Sequence, residues 1–257
     1  MRVLVLGDRI IDHYQFCKAV RLCPEGPAPV LHIESERTSE GGASNIAENL
    51  KSLLGEEEVK TCFGSVSHKH RLFAGHTLLS RVDRDRYSVL ESSAYWNQIL
   101  SALLYSDAVV IGDYNKGAIN PDIAKELVTR CNQNSKPLFV DSKADPKPYE
   151  DCFAIFPNEE EHNHIHPKDY QHIIRKLGPK GCSVDGYLIP TEEKPIFDVT
   201  GAGDCFLAGF VWKWCSTEGS NLPESERLIL CARAGNQAGG ISVTYLGTHT
   251  IKPGEML

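Results

Sequence analysis

Asp198-Val199-Thr200-Gly201-Ala202-Gly203-Asp204 runs straight into the apolar stretch Cys205-Phe206-Leu207-Ala208-Gly209-Phe210-Val211. Two glycines around one alanine let backbone N–H groups converge where a helix begins, and the positive end of that helix favours a phosphate or a developing oxyanion. Asp204 falls in the first helical turn. There it can simply cap the helix, or it can act as a base beside a bound anion. The stretch alone leaves both readings open.

An apolar helix of this kind needs a core to cover it. The chain has 257 residues, 41% hydrophobic and 24% charged, enough for one large core and too apolar for a disordered chain. No apolar run reaches bilayer length, and Met1-Arg2-Val3-Leu4-Val5-Leu6-Gly7-Asp8 lacks the cleavage pattern of a signal peptide; it reads as a buried first strand. Nine cysteines without CxxC pairs or Cys/His ligand spacing suit reduced thiols in a cytoplasmic protein, not a disulfide frame or zinc site. A net charge of -7 argues against a broad nucleic-acid-binding face while leaving room for a local basic pocket. His162, His164, His166 and His172 crowd one segment but show no helical i,i+4 pair, so they read as a solvated loop.

Strand-like runs at 3–6, 60–63, 108–112, 138–141 and 154–157 alternate with helical periodicity at 43–54, 95–105 and 121–132, and two late helices follow at 203–215 and 225–235. That rhythm predicts one α/β domain over 1–257, a mainly parallel sheet flanked by helices. Segments 13–40 and 77–90 break the rhythm. Their alternating residues read as exposed strands forming a small β-lid whose open face needs a ligand or a second subunit, which makes the chain a predicted homodimer.

Polar and glycine residues cluster at the carboxyl ends of the predicted strands, where open α/β sheets place ligands. Gly7-Asp8 and Asp12, Gly112-Asp113-Tyr114-Asn115-Lys116-Gly117, Asp141-Ser142-Lys143 and Pro157-Asn158-Glu159-Glu160-Glu161 follow successive strands. Any one of these aspartates suits a turn or a cap; together they outline a site. Gly41-Gly42-Ala43-Ser44-Asn45 adds a glycine pair ahead of a helix, where backbone can approach a small polar ligand. Neither G-x-x-x-x-G-K-[ST] nor an early G-x-G-x-x-G is present, so a phosphoryl-transfer site would need another design, with late helix N-termini and a divalent metal neutralising the phosphates.

In these residues the chain resembles the ribokinase-like (PfkB) carbohydrate kinases nearly end to end. Asp198 to Asp204 resembles the family's C-terminal signature, Gly41-Gly42-Ala43-Ser44-Asn45-Ile46-Ala47 its N-terminal signature, and Asn158-Glu159-Glu160-Glu161 its N-x-x-E element. Within the family the chain is most similar to the kinase domain of ADP-heptose synthesis, which phosphorylates the anomeric hydroxyl of D-glycero-β-D-manno-heptose 7-phosphate. Cys23-Pro24-Glu25-Gly26-Pro27-Ala28-Pro29-Val30, Arg81-Val82-Asp83 and Leu246-Gly247-Thr248-His249-Thr250 carry that likeness.

The resemblance implies ATP-dependent phosphorylation of a sugar or sugar phosphate, with ATP and Mg²⁺ required. It makes Asp204 the general base and the N–H groups of Gly201, Ala202, Gly203 and Asp204 an anion hole. Asp12, Gly41, Gly42, Asn45 and Asp113 would bind the sugar, and Lys69, Arg71, Arg81 and Lys116 its phosphate. Gly178, Lys180, Gly181, Asn236 and Thr248 would line the nucleotide pocket. Asn158 and Glu161 would organise Mg²⁺ through water, and Asp198 with the Thr200 carbonyl would hold a monovalent cation such as K⁺. Another small-sugar or nucleoside kinase, or a non-catalytic binding protein of the same fold, are the alternatives.

The chain departs from the family pattern in three places. It is shorter between Leu54 and His68, and again between Glu161 and Gly178. The nucleotide element, T-x-G-x-x-G in the family, here reads Lys176-Leu177-Gly178-Pro179-Lys180-Gly181. No segment matching the nucleotidyltransferase domain fused to some heptose kinases follows Thr250.

Overall fold

The computed structural model describes residues 1–75, 77–85 and 93–256. The first half contains β1 (Val3–Leu22), β2 (Pro29–Gly42), α1 (Ala43–Leu54), β3 (Val59–Ala74), β4 (Thr77–Arg84) and α2 (Ser93–Leu104). The second half contains β5 (Ala108–Asp113), α3 (Pro121–Gln133), β6 (Leu138–Ser142), β7 (Ala154–Ile155), β8 (His172–Lys176), β9 (Cys182–Val184) and β10 (Tyr187–Ile189), then α4 (Ala202–Ser216) and α5 (Glu224–Ser242).

The start of β1 shows how the layers arise. A strand turns successive side chains to opposite faces, and here Val3 and Val5 enter one core while Leu4 and Leu6 enter the other. In β5, Ala108 and Val110 oppose Val109 and Ile111 in the same way. Both faces are therefore apolar, as a covered parallel sheet requires. α1, α4 and α5 pack on one face, and α2 and α3 on the other. Among the described residues no helix is long and apolar enough to cross a membrane.

The described strands lie in the order β10-β9-β8-β7-β6-β5-β1-β3-β4, with β2 pairing β1. Neighbours from β3 through β1 to β8 are parallel. The pairs β1–β2, β3–β4, β8–β9 and β9–β10 are antiparallel.

The strands predicted at 3–6 and 60–63 are only the buried roots of much longer ones. β1 and β3 leave the core side by side and, with β2 and β4, build the lid. Its strands at 13–40 are present, and residues 66–74 of β3 join it unforeseen. Of the predicted 77–90 segment, 86–90 lie outside the described residues. Asp12, Tyr14 and Phe16 of β1 stand opposite Lys69, Arg71 and Phe73 of β3. Tyr14 also faces Arg37 of β2, and Arg71 faces Arg81 of β4, giving one cross-strand row, Arg37–Tyr14–Arg71–Arg81.

β7 is shorter than expected, since Pro157 has no N–H to extend the ladder. α5 runs past Gly235 to Ser242 because its glycines allow α4 to approach: a Cβ on Gly235 would lie 2.9 Å from the Phe206 carbonyl oxygen. His172 is not in a solvated loop but opens β8, with its ring between Asp185 at 2.8 Å and Glu224 at 3.2 Å. The two shortened segments are bridged by tight turns, at Glu56–Glu58 before β3 and at Glu161–His164 and Pro167–Asp169 before β8.

Candidate active site

At the glycine pair the chain must leave β2 and enter α1 while crossing β1. Gly41 and Gly42 pair with Ile10 and Arg9, and a Cβ on Gly41 would strike the Asp12 carboxylate. Gly42, with φ 61°, makes the left-handed turn that starts α1. Asn45 and Asn49 are thereby buried on the face of α1 that meets α4. Asp12 is 3% exposed and forms an ion pair with Arg71 of β3.

The glycines of the second signature act similarly. Gly201 adopts φ 77°, and a Cβ there would lie 2.8 Å from Asn45 Nδ2 and 2.9 Å from Thr248 Cγ2. The first turn of α4 consequently lies against α1 and the C-terminal segment. The Ala202 N–H donates to the Val199 carbonyl at 3.2 Å, and the first helical bond is made by Cys205 N–H to the Gly201 carbonyl at 3.0 Å. Ala202 is thus withdrawn from the expected anion hole, and the amides of Gly203 and Asp204 remain ahead of the helical ladder.

Asp204 is 3% exposed. Asn45 Nδ2 donates to one carboxylate oxygen at 2.9 Å, and the Tyr114 hydroxyl donates to the other. Burial raises its pKa to about 6, against the lowering effect of those two hydrogen bonds. A carboxylate so poised accepts a proton near neutral pH. Burial and the adjoining Asp204 charge push the Tyr114 phenol well above its ordinary value, so it stays a donor.

A second charged group lies alongside. Asp141, 2% exposed at the end of β6, receives Lys176 Nζ at 2.5 Å on one oxygen and Lys143 Nζ at 3.0 Å on the other. Burial alone would raise its pKa, but the two ammonium groups prevail and hold it at about 2. Lys143 also reaches Glu161 at 2.7 Å. Asp141 and Glu161 thus share the Lys143 ammonium, and no cluster of three or more His, Cys, Asp or Glu side chains placed to hold a metal ion is found among the described residues. Asn158 Oδ1 accepts the N–H groups of Glu160 at 2.9 Å and Glu161 at 2.8 Å. It anchors the turn that presents Glu161.

Other predicted residues sort by their partners. The Asp113 carboxylate accepts from Asn115 N–H, the Ser142 hydroxyl and the Tyr149 hydroxyl at 2.9, 3.1 and 2.7 Å. Its buried donors make it a loop anchor. Arg81 pairs with Asp83 at 2.9 Å and Lys116 with Asp85 at 2.6 Å. Lys69 lies 5.9 Å from the centre of the Tyr114 ring, and no ion-pair partner is found for it among the described residues. Asp198 accepts from Thr200 N–H and hydroxyl at 3.0 and 2.8 Å and from Gly247 N–H at 2.8 Å. A carboxylate has about four acceptor positions, so it retains room for a cation.

Gly181 and Asn236 meet through the β10 end, where Asn236 Nδ2 donates to the Ile189 carbonyl at 3.0 Å. Gly178 and Lys180 form the turn between β8 and β9. Thr248 lies apart from that turn, against Gly201.

Tyr114, Asp141, Lys143 and Lys176 stand in the quoted strand-end and nucleotide stretches but received no role from sequence. Asn49, which donates to Asn45 Oδ1 at 3.0 Å and accepts from Ile251 N–H at 2.8 Å, carried no signal at all. Arg37 donates to the Leu246 carbonyl at 2.6 Å, and only its place opposite Tyr14 marks it.

An α/β scaffold with a poised carboxylate at a helix start and a polar lid defines a sugar-kinase-like protein. Residues 27–254 match the pfkB family carbohydrate kinases, and the chain belongs to that family. That family is one of carbohydrate kinases, and membership implies ATP with a divalent metal. The chain is 28% identical over 300 residues to the bifunctional protein HldE of a Nitratiruptor species, covering 97% of this chain and 63% of that one. It thus spans less than two thirds of the relative's length. Ribokinase from Giardia lamblia superposes with a TM-score of 0.73 at 17% identity, covering 99% of this chain and 97% of that chain. Phosphofructokinase-2 from Escherichia coli, in complex with potassium, gives 0.73 at 15% identity, covering 100% and 96%.

Proposed function

We propose that the chain phosphorylates a sugar phosphate, with D-glycero-β-D-manno-heptose 7-phosphate as substrate and its anomeric hydroxyl as acceptor. The carrying observation is the Asp204 carboxylate held between Asn45 and Tyr114, with Lys69 beside that tyrosine. A proton acceptor and an ammonium group on one wall suit a hydroxyl acceptor that bears an anion elsewhere. The likeness to HldE supports the heptose reading.

In this reading Asp204 takes the proton of the attacking hydroxyl, and Tyr114 and Asn45 orient its carboxylate. Asp12, fixed by Arg71, and the backbone at Gly41 and Gly42 bind the other hydroxyls. The Gly203 and Asp204 amides face the transferred group. When bound, Mg²⁺ neutralises charge on the nucleotide phosphates, and Asp141 and Glu161 are the carboxylates that would hold it. Asp198 would hold K⁺, a reading supported by the potassium complex of E. coli phosphofructokinase-2.

Incubating the protein with Mg-ATP and a panel of sugars and sugar phosphates, read by ³¹P NMR, tests the assignment. Heptose 7-phosphate should give an anomeric phosphate faster than ribose, fructose 6-phosphate or nucleosides. Faster turnover of another panel member transfers the assignment to it, and no product from any member overturns the catalytic reading.

The lid is also proposed to pair with that of a second copy. Leu78, Leu79 and Val82 on β4 and Ile33 on β2 are exposed apolar residues at 48%, 43%, 50% and 52%. Light scattering at micromolar concentration should give twice the chain mass; a monomer mass refutes the pairing.

A further inference from the structure

Among the described strands β2 pairs only with β1, so it forms an edge of the lid. An arginine on such an edge is ordinarily solvated and holds nothing. Arg37 of β2 is instead held on two sides. Its guanidinium lies 4.8 Å from the centre of the fully buried Tyr14 ring, and its Nη2 donates to the Leu246 carbonyl at 2.6 Å, across 209 residues of chain. Arg71, the partner of Asp12, lies 5.3 Å from the same ring centre. A planar guanidinium suits this place, since it stacks on an aromatic face while its N–H groups reach sideways to an acceptor.

Gly247 makes the approach possible. It adopts φ 74°, and a Cβ there would stand 2.7 Å from the Tyr14 hydroxyl oxygen and 2.8 Å from Arg37 Nη2. The segment around it is tied to the turn ahead of α4: Gly247 N–H donates to Asp198 at 2.8 Å, and Thr248 packs against Gly201. One end of the Arg37–Leu246 bond therefore belongs to the lid, and the other to the body that carries Asp204. Water could satisfy the Leu246 carbonyl at little cost, so stability does not require the bond. What the bond fixes is the separation of lid and body.

We propose that Arg37 is a positioning residue that fastens the lid to the body and so sets how firmly the acceptor is kept against Asp12. It acts through the lid and not on the reacting atoms. This deepens the sugar-kinase reading and rests on it. A protein whose binding-competent state is only partly populated binds its ligand more weakly by that fraction, so releasing the lid falls on acceptor affinity.

Steady-state kinetics on the parent, Arg37→Met and Arg37→Lys, with heptose 7-phosphate and with unphosphorylated heptose, tests the assignment. One lost charge-assisted hydrogen bond corresponds to about a 10-fold change. Arg37→Met should raise KM by about that factor for both acceptors and leave most of the effect off kcat. Arg37→Lys should recover part of the difference, because an ammonium still donates to a carbonyl. A rise confined to the phosphorylated acceptor makes Arg37 a ligand of the substrate phosphate and overturns the proposal, as does an unchanged KM or a loss that falls on kcat. Hydrogen exchange read by mass spectrometry needs no turnover and no ligand: residues 29–40 and 244–250 should both exchange faster in Arg37→Met, and unchanged exchange in either segment overturns the fastening. If the parent phosphorylates no sugar, the kinase reading falls, and the exchange result by itself upholds or overturns the contact between lid and body.

Discussion

Asp204 and Asp141, at the strand ends, are almost wholly buried and each is held by two side chains, whereas Arg81 and Asp83 on the lid pair largely in water. The same kinds of charge are thus rigid in one region and loosely held in the other. A buried charge keeps its geometry because every partner is obligatory; an exposed pair is worth little and yields readily to a ligand. The strand ends have the properties of a site for bond transfer, and the lid those of a surface that adapts to what it covers. Between them stands the buried Asp12–Arg71 pair, the lid's one charge pair built like those of the strand ends among the described residues.

The difference can be broken most severely at Asp204. Asp204→Asn should lower kcat by about 10²- to 10⁴-fold while sugar affinity stays close to the parent's. Loss of affinity with little change in kcat would make Asp204 a binding group instead.

Next in size is Arg71→Met, which leaves Asp12 buried without its partner. Removing one member of a buried pair destabilises by about 3–5 kcal/mol, so urea unfolding should show a drop of that order and the sugar KM should rise. The corresponding change in the exposed pair, Arg81→Met, should cost about 0–1 kcal/mol.

A finer test is the pH profile. Asp204 is neutral below its pKa of about 6 and charged above it, so kcat should rise with pH through about 6. The Tyr114 hydroxyl stabilises the charged form, and Tyr114→Phe should move that limb to higher pH. An unmoved limb would separate the titrating group from Asp204. The smallest effect on chemistry is expected at the lid surface: Val82→Glu should convert a dimer to a monomer by light scattering with the melting temperature nearly unchanged.

The sequence made the glycine-governed parts of this structure readable. Gly41-Gly42 and Gly201-Ala202-Gly203 impose local conformations that betray a helix start and a close approach without knowledge of the rest of the chain. The helix at 43–54 was predicted to the residue, since its apolar face and preceding glycines agree. β8, β9 and β10 escaped because Arg175, Lys176 and Gly181 interrupt short strands that only neighbouring strands stabilise. The outward extension of β3 escaped because Arg71, Lys69 and His70 read as surface when their partners are unknown. Site pairs were hidden for the same reason: Lys176 and Asp141 are 35 residues apart, and Tyr114 and Asp204 are 90 apart. That Ser142 and Tyr149 donate to Asp113 was hidden in the same way.

β1 and β3 leave the sheet side by side. Where they leave it, their pairing contains the register shift between Gly7 and Arg9. Asp8 lies at that shift, gripping Tyr114, Lys116 and Ala118 through their N–H groups at 2.7, 3.0 and 2.9 Å. The root of the lid and the loop that carries Tyr114 to Asp204 are therefore held by one buried carboxylate.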